Sequence, residues 1–411
     1  MKQSPPEARS ALDVIIVGAG PAGLSTALHL CRLDPSWSRR ILLLEQSEHP
    51  RPKLCGGGLT RLGEEALAAL GLTLTVPTRP AWELRSLADH FDTSLHGRPV
   101  FRLLERTSFD RWLYEEAVHR GIEIRQNETV RSLRRVPGGI EVETNRGRHL
   151  AAVVVGADGA ESVVRRSLQP EEYGRYRSLL MNVRVPEEPG DGEGLAWFDF
   201  TGMDRGVQGY IWHFPAIRAG NPARSFGIFH SRIRRQRREI PIRGTFRKSL
   251  YGLLREGAEA IRGYPLRWLA PRRRAVSAHR VIYVGDAAGT DPMLGEGISF
   301  ALAYGEVAAR AIRDAFGMGE FGFLDYYRQI RRHRITSHLY WRRRVALLFY
   351  NLRRPLAIRL LWAVIPWITK LLILFVPRYI PATRPRLVVN SRRRVERRPL
   401  THTFPGAGKP R

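Results

Sequence analysis

The chain has 411 residues, 43% of them hydrophobic, enough to bury a sizeable core and too apolar for a disordered or fibrous protein. Its formal net charge of +28 is unevenly placed: residues 331–411 hold 20 Lys and Arg against the single acid Glu396, which puts +19 there and leaves +9 over the first 330 residues, an ordinary value for an enzyme. Two cysteines, Cys31 and Cys55, exclude a disulfide framework, and the first 30 residues hold a Gly-rich turn rather than the apolar core of a signal peptide, so a reducing, cytoplasmic location is expected.

The β-branched run at residues 11–17 predicts a strand, Pro21 to Leu33 a helix, and Ile41 to Leu44 a second strand: the opening of a doubly wound parallel sheet. Between the first strand and the helix, Gly18-Ala19-Gly20-Pro21-Ala22-Gly23 fits GxGxxG. Its glycines permit a tight turn, close approach of backbone to a pyrophosphate and helix-strand packing, and the helix N-terminus adds amide donors. Glu45, 22 residues past Gly23 at a strand end, suits a carboxylate that accepts from an adenosine ribose. These residues indicate a dinucleotide without choosing between FAD and NAD.

Further along, Pro50-Arg51-Pro52-Lys53-Leu54-Cys55-Gly56-Gly57-Gly58 is a Gly-rich segment, and Ser108 to Arg120 reads as a helix preceded by Arg106-Thr107. Short strands over Val130 to Val155 end in a buried one, followed by Gly156-Ala157-Asp158-Gly159-Ala160. Residues 176–231 alternate apolar and polar, predicting an antiparallel sheet that contains Tyr210-Ile211-Trp212-His213-Phe214-Pro215. A last apolar strand, Arg280 to Val284, runs into Gly285-Asp286-Ala287-Ala288-Gly289, then Pro292, Gly295-Glu296-Gly297 and a helix over Gly297 to Ala315.

The order of these motifs resembles the flavoprotein family that includes aromatic hydroxylases and geranylgeranyl reductases, over about residues 10–320. The PxxKxCGGG and YxWxFP patterns resemble the geranylgeranyl reductases in particular. The resemblance implies an α/β protein: a Rossmann-type FAD-binding domain with a parallel sheet (10–75, 100–175, 276–330), an interleaved antiparallel-sheet substrate domain (76–99, 176–275), and a helical basic, apolar tail (331–411). It implies that FAD is held by Gly18, Gly20, Pro21, Ala22, Gly23 and Glu45, and by Lys53, Gly56, Gly57 and Arg106, the last near the phosphates. It further implies Asp286 at the ribityl or pyrophosphate-proximal hydroxyls, Gly295 to Gly297 at the flavin's pyrimidine edge, and Gly285, Pro292 and Ile298 among the cofactor-binding residues. Asp158 is read either as a contact to the nucleotide half or a bound nicotinamide, or as an N-cap of the following helix.

Alternation puts Tyr210, Trp212 and Phe214 on one face of a strand, either walling an apolar tunnel for a polyprenyl chain or filling a core. His213, on the opposite face, reads as a surface residue. Cys55 is either a small buried hydrophobe or a residue beside the flavin. Cys55, Tyr210 and Trp212 are the candidate catalytic residues, with Tyr210, Cys55 or an ordered water as proton source. No metal site is expected. A single GxGxxG leaves the electron donor as transiently docked NADPH or reduced ferredoxin.

The stretch Pro355 to Pro377 is apolar but carries Arg359, Pro366 and Lys370 between arginine clusters, which suits an interfacial segment on an anionic membrane better than a spanning helix or soluble packing. Nucleic-acid binding is the alternative from another class, and the interleaving of arginines with long aliphatic runs argues against it. The expected function is reduction of carbon–carbon double bonds in a prenylated lipid, pigment or quinone; the alternative enzyme is a flavin monooxygenase of a hydrophobic aromatic.

Overall fold

The computed structural model describes residues 12–88, 91–236, 240–250, 260–350 and 386–391. β1 (Leu12–Val17), β2 (Ile41–Leu44), β9 (Arg148–Gly156) and β16 (Val281–Tyr283) form, with β6 (Glu123–Arg125), a parallel sheet in the order β16-β9-β1-β2-β6. All four residues of β2 are buried, as a strand covered on both faces requires. β7 (Val130–Val136) and β8 (Gly139–Thr144) extend β9 as an antiparallel meander, and β15 (Ser277–Ala278) caps the other edge. In register, Val17 lies beside Leu44 and Gly156, and Gly156 beside Tyr283. The four strands therefore end at one edge, and the segments beginning at Gly18, Glu45, Ala157 and Val284 leave the sheet together, where an open parallel sheet places its ligand.

Helix α1 (Pro21–Leu33) starts where proline is best tolerated, at its first position, and packs against the long α6 (Ile298–Met318). A Cβ on Gly305 would lie 2.2 Å from Ser25 Oγ, which donates to Leu302 O at 2.7 Å, so the two helices meet backbone to backbone. The shorter α2 (Arg61–Ala69) also packs on α6, and α3 (Arg106–His119) packs on α1; α3 begins two residues before the sequence reading, which puts Arg106 in its first turn. α4 (Val163–Leu168) follows the Asp158 turn.

The second sheet runs β14-β10-β13-β12-β11-β4-β5-β17, with β3 (Gly58–Thr60) also on β5. Its strands are β4 (Thr78–Ala88), β5 (Phe91–Leu104), β10 (Arg177–Pro186), β11 (Leu195–Asp199), β12 (Gly209–Arg218), β13 (Asn221–His230), β14 (Arg262–Arg267) and β17 (Arg386–Ser391), with α5 (Ile242–Ser249) packed on β13. Tyr210, Trp212 and Phe214 of β12 do share a face, and their rings touch in sequence at 6.2 and 6.0 Å between centroids. Opposite Trp212 in register stands Gly227, whose added Cβ would fall 1.9 Å from the indole: the ring fills the volume a side chain would take. His213 corrects the surface reading. It is buried, stacked on Phe226 at 4.0 Å, and its Nε2 accepts from Nε of the fully buried Arg224 at 2.9 Å.

Two short helices follow α6: α7 (Tyr326–Arg332) and α8 (Ser337–Phe349). Although α8 lies inside the stretch read as a tail, it packs on the aromatic sheet: Ala346, Phe349 and Tyr350 share a buried cluster with Phe200, Tyr210 and Trp212. The 355–377 stretch lies outside the described residues; among those described, no helix is long and apolar enough to cross a membrane.

Gly227→Ala tests this packing. With a rigid, buried indole in the way, the substitution should cost about 1–3 kcal/mol in urea unfolding, as overpacked cores do; a change under about 0.5 kcal/mol would show that the indole has room to move.

Candidate active site

A cleft of about 510 Å³ runs from the N-terminus of α1 to the N-terminus of α6. At the α1 end each glycine of the first motif meets a different constraint. Gly18 has φ +105°, and a Cβ there would lie 2.6 Å from Ala157 O; a Cβ on Gly23 would lie 2.0 Å from Gly18 O. A Cβ on Gly20 would meet only Arg51 Nη2, at 3.6 Å, so this side of the turn is open to the cleft. Glu45 is buried; Oε2 accepts from the Ala19 amide at 2.8 Å and Oε1 from the Ser47 amide at 3.0 Å. A carboxylate has about four lone-pair sites, so acceptor capacity remains toward the cleft. Asp158 Oδ2 accepts from the Val164 amide at 3.0 Å, the helix-capping geometry, while Oδ1 is buried with no partner among the described residues. Burial pushes this carboxyl above the usual carboxylate range.

The middle of the cleft is a set of cations around one carboxyl. Arg106 donates to Asp110 through Nε and Nη2, both at 2.7 Å, and Asp110 is fully buried. Arg51 Nη2 lies 3.4 Å from Glu45 and 3.8 Å from Asp110. The Lys53 ammonium sits 3.4 Å from the centroid of the Tyr264 ring. Burial pulls Lys53 down from 10.5 to about 8, helped by Arg106 and Arg51 and opposed by Asp286. Burial pushes Asp286 up, opposed by Lys53 and Arg106.

Cys55 lines the cleft between these cations and Leu54, Leu180 and Leu266. Its Sγ accepts from the Gly57 amide at 3.3 Å, with the Arg106 guanidinium nearby. The loop is fixed from the second sheet: Asn182 Nδ2 donates to Cys55 O at 3.2 Å and to Ser225 Oγ at 3.1 Å, and the Trp212 indole donates to the same Ser225 Oγ at 3.2 Å. Gly56 rests on Trp212 and Phe214, with 3.7 Å left for a Cβ. Gly57 has φ +83°, and a Cβ there would lie 2.4 Å from Leu104 O, so β5 approaches its backbone too closely for any side chain.

At the α6 end, residues 291–297 form a loop whose carbonyls are claimed one after another. Pro292 O accepts from Ser231 at 2.5 Å, Met293 O from Tyr350 at 2.7 Å, Leu294 O from Tyr210 at 2.6 Å, and Glu296 O from Thr290. Asp291 takes the Met293 and Leu294 amides at 2.8 and 3.2 Å. Gly297 and Ile298 line the cleft at the positive end of the 21-residue α6. From α8, Arg342 Nη1 reaches Asp291 at 2.7 Å and Glu296 at 2.6 Å.

Of the residues singled out from the sequence, Gly18, Gly20, Pro21, Ala22, Glu45, Lys53, Cys55, Arg106, Asp158, Gly285, Asp286, Gly295, Gly297 and Ile298 line the one cleft. Gly23, Gly56, Gly57, Pro292, Tyr210 and Trp212 support it from behind. Tyr210 is buried, and burial together with Asp291 and Glu296 holds its phenol protonated well above the ordinary range. Arg51, inside the motif that pointed to Lys53 and Cys55, was legible by its position; Tyr264, Leu180, Asp291 and Arg342 carried no sequence signal.

The residues present fit FAD: an open glycine at one helix N-terminus, amides at a second, and, on residues that line the cleft between them, the buried Arg51 Nε and Asp158 Oδ1 without a hydrogen-bond partner among the described residues. Residues 11–340 match the family described as FAD binding domain. A digeranylgeranylglycerophospholipid reductase of Methanococcoides burtonii is 28% identical over 338 residues, 73% of this chain and 75% of its own. A geranylgeranyl bacteriochlorophyll reductase-like protein from Thermoplasma acidophilum superposes with a TM-score of 0.67 at 20% identity, covering 82% of this chain and 88% of that one. p-Nitrophenol 4-monooxygenase from Pseudomonas putida does so with a TM-score of 0.61 at 18% identity, covering 86% and 93%. At these identities the two solved structures share the fold.

Lys53 gives the site a pH signature. Because its folded value of about 8 lies below the ordinary 10.5, the unfolded chain binds more protons between those limits. The cost of burying the charge is therefore fully present below pH 8 and lifts as pH rises toward 10.5. In flavin-free protein, the stability advantage of Lys53→Met over the parent, measured by urea unfolding at pH 7.5 and 9.5, should shrink at the higher pH; a constant difference would mean that Lys53 is not charged in a dry site.

Proposed function

We propose that this chain, which belongs to the FAD binding domain family of oxidoreductases, reduces carbon–carbon double bonds in the geranylgeranyl-type chain of a lipid, pigment or quinone. The observation that carries this reading is the seating of the Cys55-Gly56-Gly57 segment. Cys55 faces the cleft beside Leu54, Leu180 and Leu266, while Gly56 lies flat on Trp212 and Phe214 behind it. That wall is apolar, which suits an alkene chain. The name of the Methanococcoides burtonii relative points to the same substrate class.

FAD, when bound and reduced, supplies the hydride for one alkene carbon. The chain's part is to align the alkene, exclude water and deliver a proton to the other carbon. Tyr210 is poorly suited to that delivery, since its O–H is committed to Leu294 O and its phenol is held protonated. Cys55, held at Sγ by the Gly57 amide and lying near Arg106, is the donor we assign. Arg106, Lys53 and Arg51 would bind the pyrophosphate of FAD, and the α6 amides at Gly297 and Ile298 would stabilise negative charge on the reduced flavin. Electrons come from NADPH or a reduced ferredoxin, and the enzyme works at the cytoplasmic face of an anionic membrane, held there peripherally.

Anaerobic incubation of the dithionite-reduced protein with geranylgeranyl-bearing lipids should give products heavier by two hydrogens per double bond, with the flavin spectrum reoxidised in step. A flavin that stays reduced until air is admitted, followed by a hydroxylated product, would replace this reading with the monooxygenase. Cys55→Ala should keep its flavin and lose at least about a hundredfold in turnover, the low end for a positioned acid; unchanged turnover would pass the proton to an ordered water.

A further inference from the structure

Helix α8 is apolar on two opposite faces. Its inward face buries Leu339, Ala346 and Phe349. Its outward face exposes Trp341 by 61%, Val345 by 45% and Leu348 by 67%. Spacings of four and three put these three on one stripe, where a surface helix is ordinarily polar. Packing within the described residues accounts for the inward face only, and a contiguous exposed apolar stripe marks an interaction site.

The charge carried by this stretch of the chain has one sign. Residues 331–350 contain six arginines and no Asp or Glu. Arg331 and Arg344 are exposed and sandwich the Tyr340 ring, each 4.3 Å from its centroid, and Arg344 also lies 5.3 Å from the Trp341 ring. Among the described residues, neither these two nor the exposed Arg332 pairs with a carboxylate. By contrast Arg342, on the inward side, is spent on Asp291 and Glu296.

We propose that the outward face of α8 docks on an anionic lipid surface, Trp341, Val345 and Leu348 entering the acyl boundary while Arg331, Arg332 and Arg344 meet the headgroup phosphates. A tryptophan among aliphatic residues, bordered by cations, matches the chemistry of that boundary, polar above and apolar below. A nucleic acid would satisfy the arginines and leave Val345 and Leu348 in water. The inference deepens the membrane reading above by assigning it to a described surface, and it stands apart from the identity of the reaction.

The test uses the full, flavin-loaded chain in sedimentation with vesicles of phosphatidylcholine alone or mixed with phosphatidylglycerol. The parent should bind the mixed vesicles, less tightly as salt rises. The Trp341→Ser/Val345→Ser/Leu348→Ser variant should bind them at least tenfold more weakly with flavin content unchanged, and Arg331→Gln/Arg344→Gln should lose most of the salt dependence. If the triple variant sediments like the parent, the α8 assignment fails and the membrane reading moves to another part of the chain. If the parent ignores both kinds of vesicle, both fall, while turnover on detergent-solubilised substrate still decides the reaction. A parent that is dimeric where the triple variant is monomeric assigns the stripe to a second copy, and retardation of duplex DNA without vesicle binding assigns the arginines to nucleic acid; either result overturns the proposal.

Discussion

A carboxylate as fully buried as Asp291 is costly unless it is both paired and hydrogen-bonded. It meets both conditions through the Met293 and Leu294 amides and the guanidinium of Arg342. The same nitrogen of Arg342 holds Glu296, whose other oxygen accepts from Thr60 at 2.5 Å. One ion cluster therefore ties α8, the loop before α6 and β3 together. The loop's carbonyls turn to hydroxyls of the second sheet and of Tyr350, and its Gly297 end faces the cleft. The loop that brings Gly297 to the cleft is thus held by a neutralised buried charge.

The two sheets contribute different things. The parallel sheet aligns four strand ends, so the segments carrying Gly18, Glu45, Asp158 and Asp286 converge by register alone. The second sheet, antiparallel except where β11 runs parallel to β4, contributes no such edge. It offers a filled aromatic face, against which a segment with three glycines can lie flat, and two polar side chains, Asn182 and Ser225, that fix the Cys55 carbonyl and the Trp212 indole. The aromatic residues of β12 back the Cys55–Gly57 segment and are not among the residues that line the cleft.

Much of this was legible in the sequence because it rests on local constraints. The Gly18 to Gly23 turn, its flanking strand and helix, and Glu45 are set by backbone conformation and period, which the residues themselves encode. Gly285 to Gly289 and Gly295 to Gly297 were legible for the same reason. What was not legible depends on contacts between distant parts of the chain. His213 looks like a surface residue by alternation, and becomes core only because α5 and the second layer cover that side of β12 and β13 near Phe226 and Arg224. Arg342 sits in an Arg-Arg-Arg run where composition cannot tell the one buried against two acids from its neighbours. Tyr350 likewise gives no sign that its hydroxyl closes a loop 57 residues earlier.

That last distance bears on how the molecule is made. Synthesis runs from the N-terminus, and domains generally fold as they emerge. The glycine turn at residues 18–23 and its sheet partners are available early, yet the loop at 291–297 lacks two of its holds until Arg342 and Tyr350 have left the ribosome. A nascent chain can therefore form the glycine turn before α6 and α8 arrive, but α1 gains its main helical neighbour, and the far end of the cleft its holds, only once those two helices are in place.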